Sequence, residues 1–338
     1  MKVIKTEDAV GQVLCHDMTQ IIPGEYKDAR FRKGHIVTKE DIPVLLSMGK
    51  ENLYVFEMSE GMLHENDAAE RMCAMCLSEG MTRSEVKEGK IEIRACVEGL
   101  FVVDTKKLNA INSIDELMIA TIHGNTLVKP GYKLCGTRVI PLVIDETKIK
   151  QAEDITGGKP ILSVMPLKLK KAGIITTGSE VFHGRIEDGF TPVVKKKLAN
   201  VGIETVKHIM ADDGIDNITA AINEMRAADV DLIVCTGGMS VDPDDNTPGA
   251  IKNSGAEIVT YGAPVLPGAM FLLGYFGDTP IMGLPGCVMY AKATIFDMVL
   301  PRVAAGVKMV KSDFVEMGEG GLCLGCDTCH FPNCGYGK

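Results

Sequence analysis

Three short glycine runs, each placed where an apolar strand pattern gives way to a helical one, constrain this chain more than any other feature. They are Thr176-Thr177-Gly178-Ser179-Glu180, Thr236-Gly237-Gly238-Met239-Ser240 and Gly283-Leu284-Pro285-Gly286. Glycine lets a backbone approach a ligand closely, and the helix N-terminus behind such a turn favours an anion. One turn of this kind is ordinary punctuation. Three within one run of alternating strands and helices predict a shared crevice at one edge of a sheet.

The alternation itself is clear in this part of the chain. Apolar strand patterns cover Ala172–Thr177, Glu204–Met210 and Asp231–Thr236, and helical ones cover Glu187–Val201 and Ile215–Ala228. Lys195, Lys196 and Lys197 are expected on the outer side of the first helix. Shorter strands follow at Glu257–Tyr261, Phe271–Phe276 and Pro280–Met282, and an apolar helix at Val288–Leu300 closes the segment. Strands spaced by helices of this length imply right-handed crossovers and a largely parallel sheet covered on both faces.

Four parts are expected in total. Residues 1–58 form a small α+β module with a strand-like start, a loop centred on Pro23-Gly24-Glu25, and a short helix capped by Thr38 and Asp41. Residues 59–169 carry an amphipathic helical pattern over residues 60–80, running from His64 through Leu77 and ended by Gly80, and then a β-rich stretch. In that stretch Ile91–Val97 alternates with period two, Gly99–Asp104 follows, and a helix at Ser113–His123 precedes a strand around Thr137–Ile144. Residues 170–308 are the α/β domain, and 309–338 a cysteine-rich tail.

The wording of the glycine turns, with Ala211-Asp212-Asp213 before a helix, Asp242, Asp244 and Asp245 after the second turn, and Leu266-Pro267-Gly268, resembles a known family. Lys171–Gly306 is similar to the molybdopterin-binding domain shared by molybdopterin adenylyltransferases and molybdenumtransferases. The resemblance implies a three-layer molybdopterin-binding-like domain. It also implies a ligand site at Thr177, Gly178, Ser179, Gly237, Gly238, Ser240, Pro267, Gly268, Pro285 and Gly286, with Glu180, Asp242 and Asp245 in catalytic roles. Gly131-Tyr132-Lys133 and Arg138–Leu142 look like the β-rich portion of the molybdenumtransferases, whose C-terminal β domain has no counterpart in residues 307–338.

Clustered carboxylates can hold a hard cation such as Mg²⁺, which neutralises phosphate during transfer. Asp242, Asp244 and Asp245 fit that role, and they equally fit an Asx-rich turn capping the helix that begins near Thr247-Pro248. Ser179 stands where the family places an acidic residue, which leaves Glu180 as the first turn's carboxylate; Ser179 either donates to phosphate or caps a helical turn. Cys287-Val288 replaces the Asn-Pro that commonly follows Leu-Pro-Gly. A cysteine at a helix N-terminus is expected to have a lowered pKa, unless it only packs.

Cys323, Cys326, Cys329 and Cys334 are separated by gaps of two, two and four residues. Four thiolates so spaced can wrap one soft metal centre, tetrahedral Zn²⁺ or an iron–sulfur cluster; the alternative is a flexible tail of free thiols. Cys326-Asp327-Thr328-Cys329-His330 also fits a c-type haem attachment string, a reading set aside on the expectation of a chain that is not exported. Cys73 and Cys76, among Met72 and Met75, read as core.

Composition sets the outer limits. A net charge of −9 over 338 residues argues against nucleic acid or an anionic membrane as the main partner. The start, Met1–Glu7, lacks the apolar run of a signal peptide, and no stretch of about eighteen apolar residues is present. A cytoplasmic protein is expected, with its 11 cysteines as thiols or metal ligands rather than disulfides. The expected function is molybdopterin binding in molybdenum cofactor biosynthesis, with Mg²⁺-assisted adenylyl or molybdate transfer. Expected partners are the pterin or nucleotide, further copies of the chain, and other cofactor-biosynthesis proteins or molybdoenzymes. The alternatives are a non-catalytic cofactor carrier or sensor and a nucleotide pyrophosphatase-like hydrolase.

Overall fold

Along Lys171–Thr177 successive side chains are buried on opposite sides, the pattern of a strand covered on both faces. Ala172 and Ile174 join the cluster of Val194, Leu198, Phe296 and Val299, whereas Ile175 joins Ile218, Ile222 and Ile251. Each fully buried side chain of this size contributes about 1.5–3 kcal/mol. The strand pairs in parallel with Glu204–Ala211 on one side and Leu232–Thr236 on the other. Thr279–Leu284 extends the sheet in parallel, and Leu272–Phe276 and Glu257–Tyr261 finish it antiparallel.

Helices Phe190–Ala199 and Ile295–Ala304 supply the core on one face of this six-stranded sheet, and Ile215–Arg226 and Thr247–Asn253 that on the other. The result is the three-layer α/β domain that the sequence predicts.

The computed structural model describes residues 2–22, 26–55 and 61–338, so the loop expected at Pro23-Gly24-Glu25 lies outside the described residues. The chain divides into two compact units. One comprises Met1–Val97, Val103–Ile122 and Lys129–Val164, and the other Glu98–Val102, His123–Val128 and Met165–Lys338. In the first, Lys2–Lys5 pairs with Asn52–Val55, and Met18–Ile22 with Tyr26–Phe31. A four-stranded antiparallel sheet of Met81–Arg83, Lys90–Ala95, Lys133–Val139 and Leu117–Thr121 packs against helix Glu65–Cys76, whose Met72, Cys73 and Cys76 are buried. Among the described residues no helix is long and apolar enough to cross a membrane.

Four local expectations change. The helix expected at Ser113–His123 is instead a helix Thr105–Asn112 and a strand Leu117–Thr121. The Asp104 carboxylate accepts from Lys107 N–H and starts the helix early, while the Asn112 amide bonds both backbone groups of Ile119. The strand expected around Thr137–Ile144 is split between Lys133–Val139 and Val143–Asp145. The closing helix starts at Ile295, because Thr294 and Asp297 form a capping box there, and residues 286–289 make only a short 3₁₀ turn. Lys197 is not on the outer side: its ammonium reaches both Asp297 oxygens, at 2.6 and 2.7 Å.

Candidate functional site

Parallel register carries the glycine turns to one place. Thr176 lies beside Thr236, and Thr236 beside Leu284, so the chain leaves all three strands at the same carboxyl edge. Leu272 pairs with Gly283, which brings Leu266-Pro267-Gly268 to that edge as well. Gly237 shows why glycine is needed. Its φ is +85°, and a Cβ there would sit 2.2 Å from the Thr177 carbonyl oxygen.

Threonine side chains bind the turns together. Thr177 Oγ1 lies 3.2 Å from both the Thr236 carbonyl and Thr247 Oγ1, and Thr247 Oγ1 donates to Gly237 O at 2.8 Å. Thr177 and Thr247 are buried, so these hydroxyls have no water to fall back on. Asp213 ties the same edge from outside the glycine runs. Its carboxylate accepts from Ser179 N–H at 2.7 Å, and its carbonyl accepts from the Asn246 side chain at 2.9 Å. Ser179 is half-buried, Glu180, Ser240 and Gly286 are exposed, Gly178, Gly268 and Pro285 are buried, and Gly237, Gly238 and Pro267 lie between.

The acidic run is a turn. Asp242 N–H donates to Asp245 Oδ2 at 3.0 Å, and Asp245 N–H donates to Asp242 O at 2.9 Å. One carboxylate of the three is therefore engaged by backbone, and Asp242 and Asp244 point outward as exposed groups. Among the described residues no group of three or more His, Cys, Asp or Glu side chains could hold a metal ion. Asp242, Asp244 and Asp245 thus form no ready-made Mg²⁺ cage, and none of the three caps the helix Thr247–Asn253 with its side chain.

Three features lay beyond the sequence reading. Tyr261 Oη donates to the Met239 and Ser240 carbonyls, each at 3.3 Å, and burial with the nearby Asp245 charge pushes its phenol up. On the opposite sheet face, His208 Nε2 lies 2.9 Å from Thr176 Oγ1 and 3.2 Å from Thr191 Oγ1. Burial holds His208 below the ordinary imidazole value, against the pull of Asp188. The Asp188 carboxylate caps the helix beginning at Phe190. Burial disfavours its charge, yet hydrogen bonds from Thr191 and Phe190 keep it below the usual carboxylate range. Tyr261 and His208 carry no motif signature, because their partners are distant in sequence, whereas Asp188 bonds within its own turn.

Cys287 corrects an expectation. It stands on the 3₁₀ turn Gly286–Met289, where burial is the main influence and pushes its thiol up rather than down. A four-residue turn offers too little aligned dipole to offset desolvation.

The tail cysteines line an apolar cavity of about 510 Å³, together with Pro267, Lys292, Phe331 and Tyr336. Cys323 and Cys334 are half-buried, Cys326 and Cys329 are exposed, and all four are free thiols.

Residues 173–305 match a family model described as a probable molybdopterin binding domain, and residues 3–57 match one described as a domain of unknown function. A CinA-like protein of Mycobacterium sp. (strain JLS) is 34% identical over 90 residues, 26% of this chain and 21% of that protein. One of Pseudothermotoga lettingae is 37% identical over 86 residues, 25% of this chain and 21% of that protein. This chain spans about a fifth of the length of these curated relatives.

Among solved structures, a putative molybdenum cofactor biosynthesis protein from Corynebacterium diphtheriae covers 41% of this chain and 96% of its own, at 16% identity and TM-score 0.34. The molybdopterin biosynthesis enzyme MoaB of Thermus thermophilus covers 43% and 98%, at 20% identity and TM-score 0.34. With the family model matched across the glycine turns, residues 173–305 of this chain are a domain of the molybdopterin-binding family.

Proposed function

We propose that the unit containing residues 165–338 binds molybdopterin or its adenylylated form, as a component of molybdenum cofactor biosynthesis. The phosphate end would rest on the backbone N–H groups of the turns at Gly178 and Gly237-Gly238, with Ser179 and Ser240 as hydroxyl donors. Pro267-Gly268 and Pro285-Gly286 border the same edge and would flank the ring system. The observation that supports this reading best is the Thr177–Thr247–Asp213 lattice. It holds two glycine turns side by side in a segment whose family model is a molybdopterin-binding domain.

Adenylyl or molybdate transfer is the reaction class this reading assigns, with Glu180, Asp242 and Asp245 as the available carboxylates. Mg²⁺ enters with the ligand, since the acidic run has no cage of its own; its exposed carboxylates would be offset by a cation carried on the phosphate. The engagement of Asp245 by backbone favours a second reading, a carrier or sensor that binds the cofactor without transferring a group. In either case the recipient is another cofactor-biosynthesis protein or a molybdoenzyme, met by one copy or an assembly of copies.

The test is to express the chain in cells that make molybdopterin and identify the co-purified ligand by mass and fluorescence. A bound pterin supports the reading and its absence removes it. Incubation with ATP, Mg²⁺ and molybdate then separates transferase from carrier.

A further inference from the structure

The isolated bridge between Leu322 and Leu266 and the return at Tyr336 make the tail a closed loop. Leu266 N–H donates to Gly321 O, and Cys323 N–H donates to Leu266 O, both at 2.8 Å. At the other end Tyr336 Oη donates to Pro267 O at 3.2 Å, and Gly337 N–H donates to Gly320 O at 2.9 Å. Both ends are therefore pinned to the same stretch of the domain, as in an Ω-loop. Between them, residues 324–330 are all exposed, and Leu324 keeps 85% of its surface in water.

A loop of this kind has no core of its own, and its cysteines form no disulfide. Yet all four cysteines open onto one cavity. Gly325, at φ +66°, turns the chain between Cys323 and Cys326. Cys323 and Cys334 also pack against the domain core from the two ends of the loop, which leaves Cys326 and Cys329 on the free arc to close towards them.

We propose that Cys323, Cys326, Cys329 and Cys334 are the four ligands of a single Zn²⁺ ion, and that binding it folds the loop 320–337 inward on the cavity. Thiolate is the ligand this soft-to-borderline ion prefers, and four of them complete a closed tetrahedral site. The four thiols line one cavity without forming a ready-made group among the described residues, so the site forms as the ion binds. The step balances simply. Four S–H bonds break, four Zn–S bonds form, and four protons leave to solvent, so affinity rises with pH. Cys323 is hydrogen-bonded to Leu266, so the bound ion also fixes the segment leading into Pro267-Gly268. The proposal stands independently of the pterin reading.

The experiment uses the intact chain, reduced and kept anaerobic, titrated with Co²⁺ and then Zn²⁺. The expected result is the intense visible absorption of tetrahedral cobalt thiolate, saturating at one ion per chain and displaced by one Zn²⁺. The double variant Cys326→Ser/Cys329→Ser should lose affinity by about a hundredfold or more. Cys96→Ser/Cys287→Ser should keep the site. Should the first variant fail to fold, alkylation of the wild type mapped by mass spectrometry decides the matter: Zn²⁺ must protect the four tail thiols together. No thiolate absorption, equal binding in the tail variant, or unprotected tail thiols would overturn the proposal. An iron–sulfur cluster on these cysteines in anaerobically isolated protein would overturn the choice of Zn²⁺.

Discussion

Thr177 and Thr247 meet hydroxyl to hydroxyl at 3.2 Å, seventy positions apart in the chain, and that contact joins the first glycine turn to the helix behind the second. Both side chains are buried, and Thr247 also donates to Gly237 O. Thr247→Val keeps the shape and removes the hydroxyl, leaving the Gly237 carbonyl and Thr177 short of a partner. The expected cost is about 1–3 kcal/mol, read as a lower urea midpoint at unchanged slope.

Gly237 and Gly286 are expected to respond in opposite ways to the same small change. A Cβ on Gly237 meets the Thr177 carbonyl and needs a left-handed φ, so Gly237→Ala should cost about 2 kcal/mol or more. A Cβ on Gly286 meets only open space and no left-handed φ is required there, so Gly286→Ala should stay within about 0.5 kcal/mol of wild type. Thermal melts of the two variants side by side check the contrast.

Lys197 and Asp297 are only 11% and 17% exposed, and Asp297 also caps the closing helix. Lys197→Met leaves that carboxylate without its cation. A loss of about 3 kcal/mol is expected, with Asp297→Asn in the Met background recovering part of it. A double-mutant cycle in denaturant measures the coupling.

Acid should weaken the fold through its histidines. His16, His64 and His208 are each held below the ordinary imidazole value, with burial the first cause in every case. A depressed folded pKa means that the native state resists taking up the proton. The stability this supplies is full above the unfolded value near 6.5 and is lost as pH falls below it, through the folded values. Unfolding midpoints between neutral pH and pH 5 should drop, and His208→Gln should flatten part of that slope.

The central strands were legible because short, continuous apolar runs between glycine turns admit few other structures. Asp231–Thr236 and Glu257–Tyr261 fall within a residue of the observed bounds. The stretch 113–123 misled because Ile114, Leu117 and Ile119 suit a helix spacing as well as a strand. The Asn112 side chain that settles it acts through the fold. Lys197 looked solvated because periodicity registers its charge and not Asp297, a hundred residues on. At the edge of the sheet, the glycine turns announced themselves. Asp213 appeared only as part of a motif, and its hold on Ser179 comes from a register between strands. Tyr261 and His208 left no local trace at all.

The most direct test of the central claim is a binding titration of anaerobic molybdopterin against the wild type and Gly286→Trp. Gly286 is exposed, free of backbone strain and next to Pro285 at the carboxyl edge, so a tryptophan there should crowd the proposed ligand edge without disturbing the fold. The account predicts saturation at one ligand per unit in the wild type and affinity weakened about tenfold or more in the variant, a difference of about 1.4 kcal/mol. Equal affinity in the two proteins, or no binding to the wild type, would contradict it.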